Sequence, residues 1–378
     1  MKFLLILLFL FTNVIFSQNT FKGYLKDSND KLAISGANIF VANTSIATIS
    51  DENGFFEITV NNSNTDILIS FVGYETISVS IKSLKDFQIV KNIFLNKTNI
   101  SLDEVAINFR NVKNRSQALK TFTRYFVGYS EIASKVEIEN PDDIQFREEK
   151  LSNNYKLIAF SDKPIILVNK RLGYKISYIL MDFEYNHDSN HENFYALYKG
   201  YAQFIDIVKQ FDLNEKKIIY NRANAYNGSA MHFIRSIYNN SYETEGFKIT
   251  KFKKVVNPLY QKKDALNSIL FIDNIEHKFK IIHSNLQPNE SLLIEESGIK
   301  HLTFPDYLLV SYKNEKEDYN YVSDGYDRKN YQNSELQLKD LKITIFPDGN
   351  YSPDDKLVFF GHMALEKMGD MLPFDYQP

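Results

Sequence analysis

Apolar and polar positions alternate through most of residues 21–107. Ala37, Ile39 and Val41 share one side of a strand against Asn38 and Phe40. Phe56, Ile58 and Val60 repeat the pattern, and Ile67, Ile69 and Phe71 follow. A period of two, broken by Gly, Asn and Asp clusters, predicts the short strands of a β-sandwich or partly open barrel. Asp51-Glu52-Asn53-Gly54 predicts a turn, because the Asp carboxylate can bond its own backbone two residues on and glycine takes positive φ. Calcium binding is the alternative there, but it has only two local acidic groups and lacks the EF-hand spacing. Gly73-Tyr74, after Ser70-Phe71-Val72, predicts a bulge or close backbone approach with the Tyr74 ring packed across it.

The period changes after Asn114. Ala118, Leu119, Phe122, Tyr125, Phe126, Tyr129 and Ile132 recur at three and four, the stripe of one amphipathic helix, with Asn114 and Gln117 as its N-terminal cap pair. Gly128 inside that stripe predicts close packing or an early end. The aromatic stripe itself reads as core. Strand patterns return at 155–160, 164–169, 174–185 and 193–206. A second helical block spans 215–238, and further strand runs lie at 247–252, 268–272, 301–304, 308–312 and 341–346. This predicts an α+β region with a mostly antiparallel sheet and two main helices.

The first residues, MKFLLILLFLFTNVIFSQ, put Lys2 ahead of a short apolar run and a small residue, Ser17, ahead of a polar one. That is the pattern of a secretory signal, too short for a membrane anchor. Three parts are therefore expected: a leader over 1–17, a β-sandwich over 18–109 and an α+β domain over 110–378. An exported chain with no transmembrane segment in its mature form follows. The chain has no cysteine, which removes disulfides, thiolate metal sites, a thiol nucleophile and a lipid-bearing cysteine. A formal net charge of −3 gives no nucleic-acid footprint.

The first module is similar to the carboxypeptidase-regulatory-like domain, a transthyretin-like β-sandwich common in envelope proteins of Gram-negative bacteria. Gly23, Gly36-Ala37, Asp51, Gly54, Phe56, Gly73-Tyr74 and Leu102-Asp103-Glu104-Val105 carry the resemblance. Asn43-Thr44-Ser45-Ile46-Ala47-Thr48 departs from it, where the family often has turn glycines. The resemblance implies a non-catalytic role, since the module sits beside peptidase domains or ahead of TonB-dependent receptor plugs. The segments ALKTFTRYFVG, ENPDDIQF, NKRLGYKISYIL, AYNGSAMHFIRSIY and GHMALEKMGDMLPFDY resemble a long extension found after that module in exported bacterial proteins of unassigned function. Gly361-His362-Met363 stands where that group has an aromatic-rich Gly-Tyr-Trp motif.

Several residues are candidates for chemistry. His187, His191 and Glu192 have the spacing of a zinc site if helical, but their polar, turn-rich surroundings predict a hairpin loop. Ser229 and His232 lack the Gly-x-Ser-x-Gly elbow; Ser229 is expected to cap the helix holding His232, and His232 to be packed. Asp348-Gly349-Asn350 with Asp354-Asp355 reads as a turn rather than a calcium loop, and Glu295-Glu296 would point apart on a strand. No catalytic, cofactor-binding or metal residue is assigned, and no cofactor is expected. The expectation is a non-enzymatic exported envelope protein, periplasmic or outer-membrane-associated, that binds or scaffolds. A hydrolase with an unrecognised site and an accessory of outer-membrane TonB-dependent transport, with envelope proteins or a receptor as partners, stay open.

Overall fold

The chain divides into one unit formed by residues 1–42 and 46–103 and a second formed by 43–45 and 104–378. The computed structural model describes residues 19–60, 66–80, 90–98, 110–150, 154–188, 194–256, 279–285, 291–321 and 328–378. The leader, the strand run 268–272, Leu102 to Val105, and both His191 and Glu192 lie outside the described residues.

The first unit holds two sheets. In one, strand Asn19–Asp27 pairs antiparallel with Phe55–Val60 and parallel with Lys91–Leu95. The other runs Ala47–Ile49, Asn38–Val41, Asp66–Ser70, Ile77–Ser80, all antiparallel. Inward-facing residues of both sheets, among them Phe21, Leu25, Ile39, Phe56, Ile58, Ile67 and Ile69, form its core, as the alternation predicts. The Asp51 carboxylate accepts from the Asn53 and Phe55 N–H groups, each at 2.8 Å, so this segment is the expected turn. Gly54 has φ of 75°, and a Cβ there would lie 2.4 Å from the Leu25 carbonyl. Gly73 corrects the bulge expectation: it sits in a turn with φ of 84° and open space around it. Tyr74 is tied down by its hydroxyl, which donates to buried Asp27 at 2.7 Å. That bond, with the Asn29 N–H and the Lys97 ammonium, holds the Asp27 carboxyl well below the usual carboxylate range.

The second unit is built on three antiparallel sheets. The largest orders Arg110–Asn111, Gln145–Lys150, Asn154–Phe160, Tyr174–Asp188, Ile165–Asn169 and Glu137–Ile138, while Phe194–Asp206 pairs along Tyr174–Asp188. The second orders Phe279–Asn285, Phe247–Val256, Tyr307–Tyr312, Gln332–Leu338 and Leu357–Gly361; the third, Leu293–Glu296, Ile299–Leu302, Ile343–Ile345 and Tyr351–Ser352. Helix α1 spans Arg115–Phe122, with the Asn114 side chain accepting from the Gln117 N–H as its cap. It widens into a π-helical turn over Thr123–Val127 and stops at Gly128, φ 109°. The predicted stripe to Ile132 is thus cut short. A Cβ on Gly128 would approach Ala133 and Lys367 to about 3 Å, so the glycine serves close packing.

The second helical block divides as well. Helix α2 covers Glu215–Tyr226 and α3 covers Ala230–Tyr238, so the described residues hold three α-helices where two main ones were expected. Asn227-Gly228-Ser229 breaks the block. Gly228 has φ of 74°, and any Cβ there would meet the Gln332 Oε1 at 2.1 Å. One core packs α1 and the largest sheet, with Phe122 against Phe126 and Phe183 at ring separations of 4.8 Å. A second core packs Phe233, Ile234 and Ile237 of α3 onto the other two sheets.

Phe122 meets three buried rings, including Phe146 at 5.9 Å. We therefore expect Phe122→Ala to cost the second unit about 3–5 kcal/mol in equilibrium urea unfolding. A loss below about 1 kcal/mol would contradict the packing described.

Candidate functional site

Several residues singled out from the sequence make bonds that hold the local fold. Ser229 accepts from the His232 backbone N–H at 3.0 Å and so caps α3, as expected. His232 is buried among Tyr226, Phe247 and Tyr312. Its Nδ1 accepts from the Gly228 N–H at 3.0 Å, which leaves Nε2–H to bond Glu245 at 2.8 Å. Both ring nitrogens are taken, so the imidazole has no free site to draw a proton from Ser229. Burial lowers its pKa. His187 lies on strand Tyr174–Asp188, not on a helix, with Nδ1 2.7 Å from the Asp188 carbonyl.

Asp348 accepts from the Asn350 N–H at 3.0 Å in the expected turn, and Asp355 pairs with Lys356. Glu296 pairs with Lys342 at the end of its strand. Among the described residues no group of three His, Asp or Glu side chains converges to hold a metal.

Sequence reasoning gave no site residue in the closing segment after Gly361, yet several of its side chains wall two cavities in the second unit. The first, about 350 Å³, is lined by Tyr178, Tyr198, Met231, Tyr351, Met368 and others. The second, about 680 Å³, takes its wall from Asn221, Asn224, Asn227, Asn314, Glu315, Gln332, His362 and further residues. Glu366 and Asp370 line both.

These two carboxyls bind local structure. Glu366 Oε2 accepts from the Ala230 N–H at 3.2 Å, satisfying one of the donors that every helix N-terminus leaves open. Asp370 accepts from the Ser130 hydroxyl and from the Lys367 N–H. Burial raises Glu366 well above the usual range, and the neighbouring Asp370 adds to it. Burial likewise takes Asp370 to about 7 against the pull of Ser130 and the Lys367 N–H. The Lys367 ammonium is lowered by the same desolvation.

The larger cavity carries two further groups. His362 Nε2 accepts from the Asp318 N–H at 3.0 Å, so the neutral ring bears its hydrogen on Nδ1. Burial holds its pKa at about 4. Gln332 gives Nε2–H to Glu315 at 3.2 Å, and burial raises Glu315 to about 7. His362 Nδ1 and Gln332 Oε1 are buried and have no partner among the described residues. The one sequence signal for this region was its flanking: Met363, Leu365, Met368 and Leu372 surround Glu366, Lys367 and Asp370, and such spacing places charges among buried neighbours.

With both units and the cavities in place, comparison with known proteins separates the parts of the chain. Residues 21–107 match the CarboxypepD_reg-like domain. The match falls mainly on the first unit, and several of the residues that carry it have visible reasons. Gly23 admits no side chain, since a Cβ would meet the Lys91 carbonyl at 2.8 Å, and Asp51 and Gly54 build the turn. The match does not extend to the cavities. No curated protein matches the chain. A solved structure from Bacteroides fragilis NCTC 9343, described as a "putative membrane-associated protein of unknown function", aligns over 90% of this chain and 94% of its own. Its 10% identity and TM-score of 0.17 carry no argument. Among the described residues no helix is long and apolar enough to cross a membrane.

The buried carboxyls fix a sign for pH dependence. Between 3.8 and about 7 the folded chain keeps a proton on Asp370 that the unfolded chain has lost, so this group's contribution to stability falls as pH rises through that window, while the lowered His362 and His232 contribute the opposite slope. Glu366 and Glu315 act in the same direction as Asp370. In Asp370→Asn the melting temperature should fall less, or rise more, across this window than in the parent chain. Each unit of pKa difference removed is worth about 1.4 kcal/mol. An unchanged or steeper fall in a pH series of thermal melts would contradict the assignment.

Proposed function

We propose that the protein is a non-enzymatic binding component of the bacterial cell envelope, exported by its leader, with the larger cavity of the second unit as its ligand seat. The observation that carries this reading is the wall of that cavity. Amides from α2 and from the strand ends, Asn221, Asn224, Asn227, Asn314 and Gln332, meet around a space of about 680 Å³. That volume falls within the roughly 300–1,000 Å³ of small-molecule sites. The acidic groups beside it support binding rather than turnover, because Asp370, Glu366 and Glu315 are spent on Ser130, on the N-terminus of α3 and on Gln332. The carboxypeptidase-regulatory-like domain then acts as a spacer or partner-binding module. Its company in envelope proteins supports the location.

Asn224 is exposed on the cavity wall, so a bulky residue there should plug the site without disturbing the core. Thermal-shift screening of the mature chain against small polar compounds should give ligands whose binding Asn224→Trp abolishes. The variant's own stability should stay within about 0.5 kcal/mol of the parent. Ligands that bind the variant equally well would overturn the cavity as the seat. Turnover of peptides, esters or glycosides, lost on a single side-chain change, would overturn the non-enzymatic reading.

A further inference from the structure

The smaller cavity is lined by polar groups that the chain itself leaves unbonded. Glu366 Oε2 accepts from the Ala230 N–H, while Oε1 has no bonding partner among the described residues. The hydroxyls of Tyr178, Tyr198 and Tyr351, on the same wall, have none either. Among the described residues, the unpartnered side-chain atoms shut off from accessible space are Gln332 Oε1 and His362 Nδ1, both on the larger cavity. Glu366 Oε1 and the three hydroxyls are therefore open as they stand.

Tyr178 is only 2% exposed, so its hydroxyl opens on the cavity and not on the outer surface. Gly200 makes the room: it lines the cavity too, and a Cβ there would stand 2.8 Å from Tyr178 Cζ, the carbon that bears the hydroxyl. The Tyr178 and Tyr198 rings lie 6.5 Å apart. Burial raises the Tyr198 hydroxyl, and Asp370, Tyr351 and Glu366 add to that rise, as groups gathered around one space do.

These groups select by charge and by the number of donors. An anion would stand against Glu366 and Asp370. Lys199 and Asp354, both exposed where the cavity opens, offset each other. Burial raises Glu366, and the neighbouring Lys367 counters this only weakly; a buried carboxyl without a bonded cation calls for one. A neutral alcohol brings one donor and no charge, and a quaternary ammonium brings charge and no donor. A primary ammonium brings charge and three donors, and both carboxylate and phenol oxygens accept. Met231, Met368 and Leu372 line the same space and suit an apolar stem, and tyrosine rings attract cations. The volume of about 350 Å³ lies at the small end of the roughly 300–1,000 Å³ of ligand sites.

We propose that the smaller cavity binds a primary amine on a short apolar stem, its ammonium donating to Glu366 Oε1 and to the hydroxyls of Tyr198 and Tyr351. It is a second site, and it stands whether or not the larger cavity is a ligand seat.

The test is titration calorimetry of the mature chain at neutral pH with four probes that share one stem: hexylammonium, hexanol, hexanoate and hexyltrimethylammonium. Hexylammonium should bind about tenfold more tightly than each of the others, or better. Glu366→Gln keeps an oxygen for the Ala230 N–H and should weaken hexylammonium about tenfold or more. Should that variant fail to fold, Tyr198→Phe and Tyr351→Phe, which remove only hydroxyls, should each weaken it about threefold or more. Asn224→Trp, whose site lines only the larger cavity, should leave hexylammonium binding unchanged. No binding of hexylammonium, or equal binding of any other probe, would overturn the proposal. So would an affinity left unchanged in folded Glu366→Gln or, failing that variant, in both tyrosine variants. Loss of hexylammonium binding in Asn224→Trp would move the amine to the larger cavity and overturn the smaller one as its site.

Discussion

The carbonyls of Phe126 and Val127 end a helix and have no partner within it. Helix termini always leave such groups, and burying them unbonded is costly. Here they accept from the backbone N–H groups of Met368 and Gly369, at 3.1 and 2.8 Å. A segment some 240 residues downstream thereby completes α1 and its π-helical turn, and the second unit depends on this junction. Met368 and Leu372 enter the core on the largest sheet, and Met363 enters the core under α3. The same segment satisfies the first turn of α3 through Glu366 and returns to Ser130 through Asp370. Asn169 holds the Gly369 carbonyl at 2.8 Å. Gly369 is required by the approach itself, since a Cβ would stand 2.6 Å from the Val127 oxygen.

That junction also shapes the cavities. Because Glu366 and Asp370 are drawn inward to serve backbone and hydroxyl donors, the segment carrying them forms a shared wall of both spaces. Desolvation then keeps these two carboxyls protonated to higher pH.

Local features were legible in the sequence because their causes are local. The Asn114 and Ser229 caps, the Asp51 turn and the alternation of Phe56, Ile58 and Val60 each depend on neighbours within a few residues. The helix ends were partly legible: Gly128 marked a break, while the split at Gly228 showed only through the expected Ser229 cap. The candidate site was not legible. Glu366, Lys367 and Asp370 are residue types that usually lie at the surface, and only contacts with Ser130, Ala230 and Val127, far away in sequence, bury them. Ser229 caps the helix holding His232 as expected, yet the bonds that make His232 structural come from Gly228 and Glu245.

Native-state hydrogen exchange, read at the Met368 and Gly369 amides of the full chain, tests this account most directly. If these N–H groups close α1, they exchange only when the second unit opens cooperatively, with protection matching the central strand Tyr174–Asp188. Exchange as fast as that of an unstructured chain end would contradict the junction, and with it the shared wall of the cavities.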